Sequence, residues 1–145
     1  MTLRERRTLS DALAAGAVAA VVSGVPSTAW GLATGRPLTE GALATGSILL
    51  PRERRAAALL AAAVPVHLAL SLGWAVALAA TVPARRPVAW SALAGLGIAA
   101  LDLGLIGRRL PRIRALAQPP QVADHLAYGA AVGAVLHLRR VRRAP

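Results

Sequence analysis

Cysteine is absent from the 145-residue chain, which excludes disulfides, zinc–thiolate sites, iron–sulfur clusters and thiol catalysis. Lysine, phenylalanine and asparagine are absent too, and all 17 basic residues are Arg. Those three types have AT-rich codons, so their absence points to a GC-rich bacterial genome rather than to a special need for guanidinium groups. Aromatic residues make up 3%, too few to build a stacking platform for single-stranded nucleic acid. Acidic residues are also scarce, and the net charge is +11. A basic chain invites a nucleic-acid reading. Here the Arg residues stand in short runs at the ends of apolar stretches, where they meet lipid phosphates. The expected partner is therefore a lipid bilayer and not a nucleic acid.

What remains is oily. Hydrophobic residues make up 56% and the mean hydropathy is +0.55. A soluble amphipathic helix mixes polar residues into every turn, whereas residues 56–66 and 75–82 carry no charge on any face. The expected fold is all-α: a polytopic membrane protein forming one transmembrane domain over 1–145. Its four spans are expected at about 12–33, 56–82, 88–106 and 122–138. The stretch at about 41–50 is too short to cross a core of roughly 30 Å at 1.5 Å per residue, so it reads as an interfacial or re-entrant helix. A five-span topology with 37–50 crossing is the alternative. Arg4, Arg6 and Arg7 ahead of the first span also resemble a signal-peptide start; the long apolar stretch and the spans that follow favour retention. The short turn at Pro83 to Pro87 makes the second and third spans expected antiparallel neighbours. With the N-terminus inside, nine Arg lie inside and eight outside, a difference of one that does not set the orientation by the positive-inside rule; cytoplasmic termini are the expectation.

Small residues mark the helix-packing faces. Gly16, Ala20 and Gly24 follow one another at steps of four in the first span, and Gly129 and Gly133 form a G-x-x-x-G in the fourth. In lipid such faces let backbones approach closely. The commoner use is packing within the bundle; the other is a face for a homo-oligomer or a membrane partner protein.

Polar residues inside a bilayer are costly, so they single out candidate sites. His67 and Ser71 share a face with Trp74, and His67 lies about 16 Å into its span. Asp102 sits near the end of the third span, Asp124 and His125 open the fourth, and Ser27 lies in the matching half of the first. In a four-span topology all six fall in the same membrane half. Asp and His exchange protons near neutral pH once burial moves them, so one reading is a proton or ion path. The other is structural: Asp102 pairing with Arg108, Arg109 or His125, Asp124 complementing the dipole of its own helix after Pro119-Pro120, and His67 bonding Ser71 or a carbonyl of the first span. No catalytic set stands out. Ser71, His67 and Asp102 lack the G-x-S-x-G elbow. No metal-ligand spacing, P-loop or dinucleotide fingerprint is present, so no metal and no cofactor is expected.

The Gly/Ala-rich first span, His67-x-x-x-Ser71 followed by Gly73-Trp74, the Gly-rich third span and the Asp124-His125 opening of the fourth together resemble small four-span bacterial inner-membrane proteins of unassigned function. The resemblance implies the fold and a multi-pass inner-membrane location, and no activity. The expected function is that of a non-enzymatic structural or accessory membrane subunit. The alternative is a component of a proton-coupled transporter or permease using the His/Asp/Ser cluster.

Overall fold

The computed structural model describes residues 8–143; the basic start with Arg4, Arg6 and Arg7 lies outside them. The described residues are helical almost throughout and contain no strand. In order they form α1 (Leu9–Val22), α2 (Val25–Thr34), α3 (Glu40–Leu49), α4 (Ala56–Thr81), α5 (Pro87–Ala99), α6 (Pro111–Arg114) and α7 (Gln118–Arg142). Between α5 and α6 the chain continues as a π-helical segment over Ala100–Ile106 and a 3₁₀ turn over Gly107–Arg109.

Among the described residues, three helices are long and apolar enough to cross a membrane: Leu9–Thr34, which joins α1 to α2, Ala56–Thr81, and Pro87–Arg109. Their packing is inside out relative to a soluble protein. The buried core is largely Ala, with Ala12, Ala15, Ala19, Ala62, Ala63 and Ala75, while Val21, Leu32, Val64 and Leu93 point outward. Lipid rewards that arrangement, because outward apolar side chains cost nothing there and small residues bring helices together.

The first span is not one helix over 12–33. Pro26 has no N–H and its ring displaces the carbonyl four residues back, so the helix breaks at Ser23-Gly24 and restarts with Pro26 in the first turn of α2. Gly24 therefore occupies the break, with open space where a side chain would stand, and takes no part in helix packing. Gly16 does, against Ser71 and Ala75 of α4.

The fourth helix is longer than the expected 122–138. Pro119 and Pro120 tolerate its first turn, so α7 begins at Gln118 and runs 25 residues. It does not reach the hydropathy of the other three. The reason is its central position between α5 and α1. Tyr128, Gly129, Val132, Gly133 and Leu136 are buried there, so fewer of its positions meet lipid.

Neighbour relations also differ from those suggested by the short turn after α4. α5 lies against α7, and α4 lies against α1 and α3; α4 and α5 are not a closely packed pair. The close backbone approach is made where glycines allow it. Gly129 abuts the carbonyl of Ser91, Gly95 abuts that of His125, and Gly133 sits against Pro87. Those pairings run in opposite chain directions, so α5 and α7 are antiparallel. By the same test α1 runs antiparallel to α4, with Gly16 beside Ser71 and Ala20 beside His67.

The α3–α4 hairpin closes through Glu53, whose carboxylate accepts from the backbone N–H groups of Arg54 and Arg55, both at 2.8 Å. The Arg55 guanidinium beside it pulls the Glu53 pKa down to about 2. Gly46 lets α3 press onto the carbonyl of Leu59 in α4.

Candidate functional site

The break between α1 and α2 leaves the N–H groups at the start of α2 without intrahelical partners. Asp124 of α7 supplies one: its Oδ1 accepts from the Ser27 backbone N–H at 2.8 Å. Asp124 thus serves the N-terminus of α2, not that of its own helix, because α7 starts six residues earlier and Asp124 lies beyond its first turn. An anion at a helix start is the favourable pairing. The Ser27 hydroxyl turns back to the Gly24 carbonyl at 3.2 Å.

On the neighbouring helix, His67 Nε2 donates to the Ala20 carbonyl of α1 at 2.9 Å. Ser71 is held through its backbone: its carbonyl accepts a short hydrogen bond from the buried Tyr128 hydroxyl of α7. Tyr128→Phe removes that bond between α7 and α4 and leaves the Ser71 carbonyl with its own helix alone. The expected loss is about 1 kcal/mol, read as a lower midpoint in a detergent thermal melt followed by tryptophan emission.

The π-helical segment carries Asp102. A π turn widens a helix and re-aims its side chains, and such turns are frequent at functional sites. Asp102 Oδ2 faces His125 Nε2 at 3.5 Å, both side chains largely but not fully covered. Arg108 and Arg109 are not its partners. His125 Nδ1 lies 2.7 Å from the Gln121 carbonyl. A carbonyl only accepts, so Nδ1 carries the hydrogen. Neutral His125 then presents a bare Nε2 lone pair to the Asp102 carboxylate, which repels it. The contact is attractive only when one more proton is present, on the imidazole or on the carboxyl.

These groups line one cavity of ≈ 670 Å³. Ser27, His67, Ser71, Asp102, Asp124 and His125 all contribute to its wall. Trp30, Trp74 and Tyr128 supply the aromatic surface, and the remainder is mostly apolar. Size and lining are those of a small-molecule pocket. Among the described residues no group of three His, Asp or Glu is placed to hold a metal ion.

Two functional positions were not legible as such in the sequence. Tyr128 is the sole Tyr and stands four residues after Asp124, a helical spacing that puts both on one face. Asp11 has a clearer signal: Thr8-x-x-Asp11 is a capping-box pattern, and the box forms, with Asp11 Oδ2 accepting from the Thr8 N–H at 2.9 Å. Asp11 is buried and also binds Arg139 and Arg143 at the far end of α7. It belongs to the opposite end of the bundle from the cavity.

Comparison with known proteins yields no matching family model, no matching curated protein and no matching solved structure.

Proposed function

We propose that this chain is a four-span bacterial inner-membrane protein that works as a component of a proton-coupled transporter or permease, without enzymatic activity. The fourth span is α7. It pairs with α1 and α2, from Asp11–Arg143 at one end to Ser27–Asp124 at the other, so a bilayer crossed by α1 and α2 also contains α7. Its 25 residues reach about 37 Å at 1.5 Å per residue, enough for the hydrocarbon core. α3, at 10 residues, is the re-entrant or interfacial helix. The GC-rich composition and the resemblance to small four-span inner-membrane proteins support the bacterial inner membrane.

The observation that carries the function is the Asp102–His125 contact on the cavity wall. It joins two spans only while it holds an exchangeable proton, which is the minimum device for coupling protonation to helix position. Helix glue alone needs no cavity beside it. Four short spans enclose little path by themselves, so a second copy or a membrane partner completes it.

The test is proton flux into proteoliposomes holding an entrapped pH dye. Asp102→Asn and His125→Gln are each expected to cut protein-dependent flux by about tenfold or more, the order that follows from losing a general acid–base group. Unchanged flux in both variants sinks the transport reading.

The structural or accessory reading keeps one specific support: His67 and Asp124 each pin two helices through backbone groups. It is favoured if the variants lower thermal stability while leaving flux untouched.

A further inference from the structure

Seventeen Arg residues give this chain its net charge of +11, yet the cavity wall does not share that sign. Arg36 is the one Arg in the lining, and it is tied to Glu40 at 3.0 Å, so the two cancel. Among the described residues, Asp102 and Asp124 have no Arg beside them in the cavity. The wall thus carries two acidic groups, Asp102 sharing a proton with His125 and Asp124 bound to the Ser27 N–H, inside a strongly cationic protein. Its body is largely apolar and includes Trp30, Trp74 and Tyr128, residue types whose ring faces attract cations.

We infer that the cavity binds an organic monocation with an apolar or aromatic body, and that its charge replaces the proton shared by Asp102 and His125. The inference rests on the transport reading above and names its substrate class. An anion would be repelled by the Asp102 carboxylate once the shared proton has left it. A bare metal ion would meet too few ligands, since no three ligating side chains converge among the described residues, and would leave most of ≈ 670 Å³ unfilled. A neutral apolar molecule would leave the proton on Asp102–His125 and so could not be exchanged for it.

The exchange balances simply. The cation enters, the proton leaves Asp102–His125 to bulk water, and the carboxylate that held it now faces the cation. Neutral His125 keeps its bond to the Gln121 carbonyl. The other titratable groups around the cavity are Asp124 and Tyr128 on α7, His67 on α4, and the Arg36–Glu40 pair. Asp124 is committed to the Ser27 N–H, Tyr128 to the Ser71 carbonyl and His67 to the Ala20 carbonyl. That leaves Asp102–His125 as the pair whose contact depends on a labile proton.

The test compares three probes of one shape class on the full chain in lipid nanodiscs: radiolabelled tetraphenylphosphonium, its anionic isostere tetraphenylborate, and neutral triphenylphosphine oxide. Empty nanodiscs supply the background in equilibrium dialysis. The expected result is saturable binding of the phosphonium alone, weaker at mildly acidic than at mildly alkaline pH. Asp102→Asn weakens it by about tenfold, the loss of one modest charge contact, and Asp102→Glu retains it. Equal binding of the neutral probe, or full phosphonium affinity in Asp102→Asn, overturns the cation assignment while leaving the cavity a ligand site. If no probe binds above background, the inference falls. The transport reading then falls with it only if Asp102→Asn also leaves proton flux unchanged.

Discussion

Gly129→Val is expected to unfold the pairing of α5 and α7 rather than merely loosen it. A Cβ at Gly129 would overlap the Ser91 carbonyl, and the Cα of Ala92 would stand 3.0 Å from it. These are backbone atoms of the neighbouring helix, so no rotamer change relieves the clash. The two helices must separate, and the separation spreads to Gly95 and Gly133, which hold the same interface at His125 and Pro87. Overpacking in a well-packed core costs 1–3 kcal/mol and sometimes more; a backbone clash at the centre of a helix pair belongs at about 3 kcal/mol or above. Thermal melts in detergent, read by tryptophan emission, measure it. Gly97→Ala is the matched control: its added Cβ meets nothing within 4 Å, and the gain in helix propensity is at most about 1 kcal/mol. It should melt at or slightly above the parent. The same pair of variants separates the two uses of a G-x-x-x-G. Were Gly129 and Gly133 a dimer face, Gly129→Val would yield a stable monomer at an unchanged midpoint, and that outcome would contradict the buried position of both glycines.

Much of this architecture is legible in the sequence, for physical reasons that also mark where legibility stops. Charge-free stretches such as residues 56–66 announce α4, because hydrocarbon tolerates few charges on any face. α3 is visible as an apolar stretch too short to cross. Membership of the polar cluster follows from depth, since Ser27, His67, Asp102 and Asp124 fall in one half of the bundle by simple residue counting. Pairings do not follow from depth. They depend on helix rotation, and in Ala-rich helices the pattern of large residues that would fix rotation is missing. Hence the partner of Asp124 is Ser27 of α2 rather than its own helix end. Hence also α5 packs on α7 despite the short turn joining it to α4. The first span reads as continuous over 12–33, and both the break before Pro26 and the carboxylate it recruits from α7 require the packed structure. The π turn at Ala100–Ile106 has no sequence mark of its own.

Asp11→Asn should be the most damaging change at the end of the bundle away from the cavity. The carboxylate is 3% exposed and is shared among three sets of donors. Thr8 donates from its backbone N–H and its hydroxyl, both at 2.9 Å. Arg143 grips both oxygens through two nitrogens at 2.7 Å, and Arg139 adds a contact at 3.2 Å. Bidentate, charge-assisted bonds of this kind are the strong ones. They tie the first turn of α1 to the last turn of α7. Breaking a buried pair by removing one partner costs 3–5 kcal/mol. Here the guanidinium groups of Arg139 and Arg143 are 38% and 50% exposed, so water takes back part of their charge and the expected loss falls to about 2 kcal/mol. A double-mutant cycle with Arg143→Gln isolates the pair: the two losses should overlap by about 1 kcal/mol or more. Full additivity would mean that the clamp contributes only through the Thr8 cap. The position also predicts which function survives. Asp11 lies at the end remote from Asp102 and His125, so a folded remainder of Asp11→Asn should still bind tetraphenylphosphonium with parental affinity, whereas Asp102→Asn should show the reverse pattern of intact melting and binding weakened about tenfold.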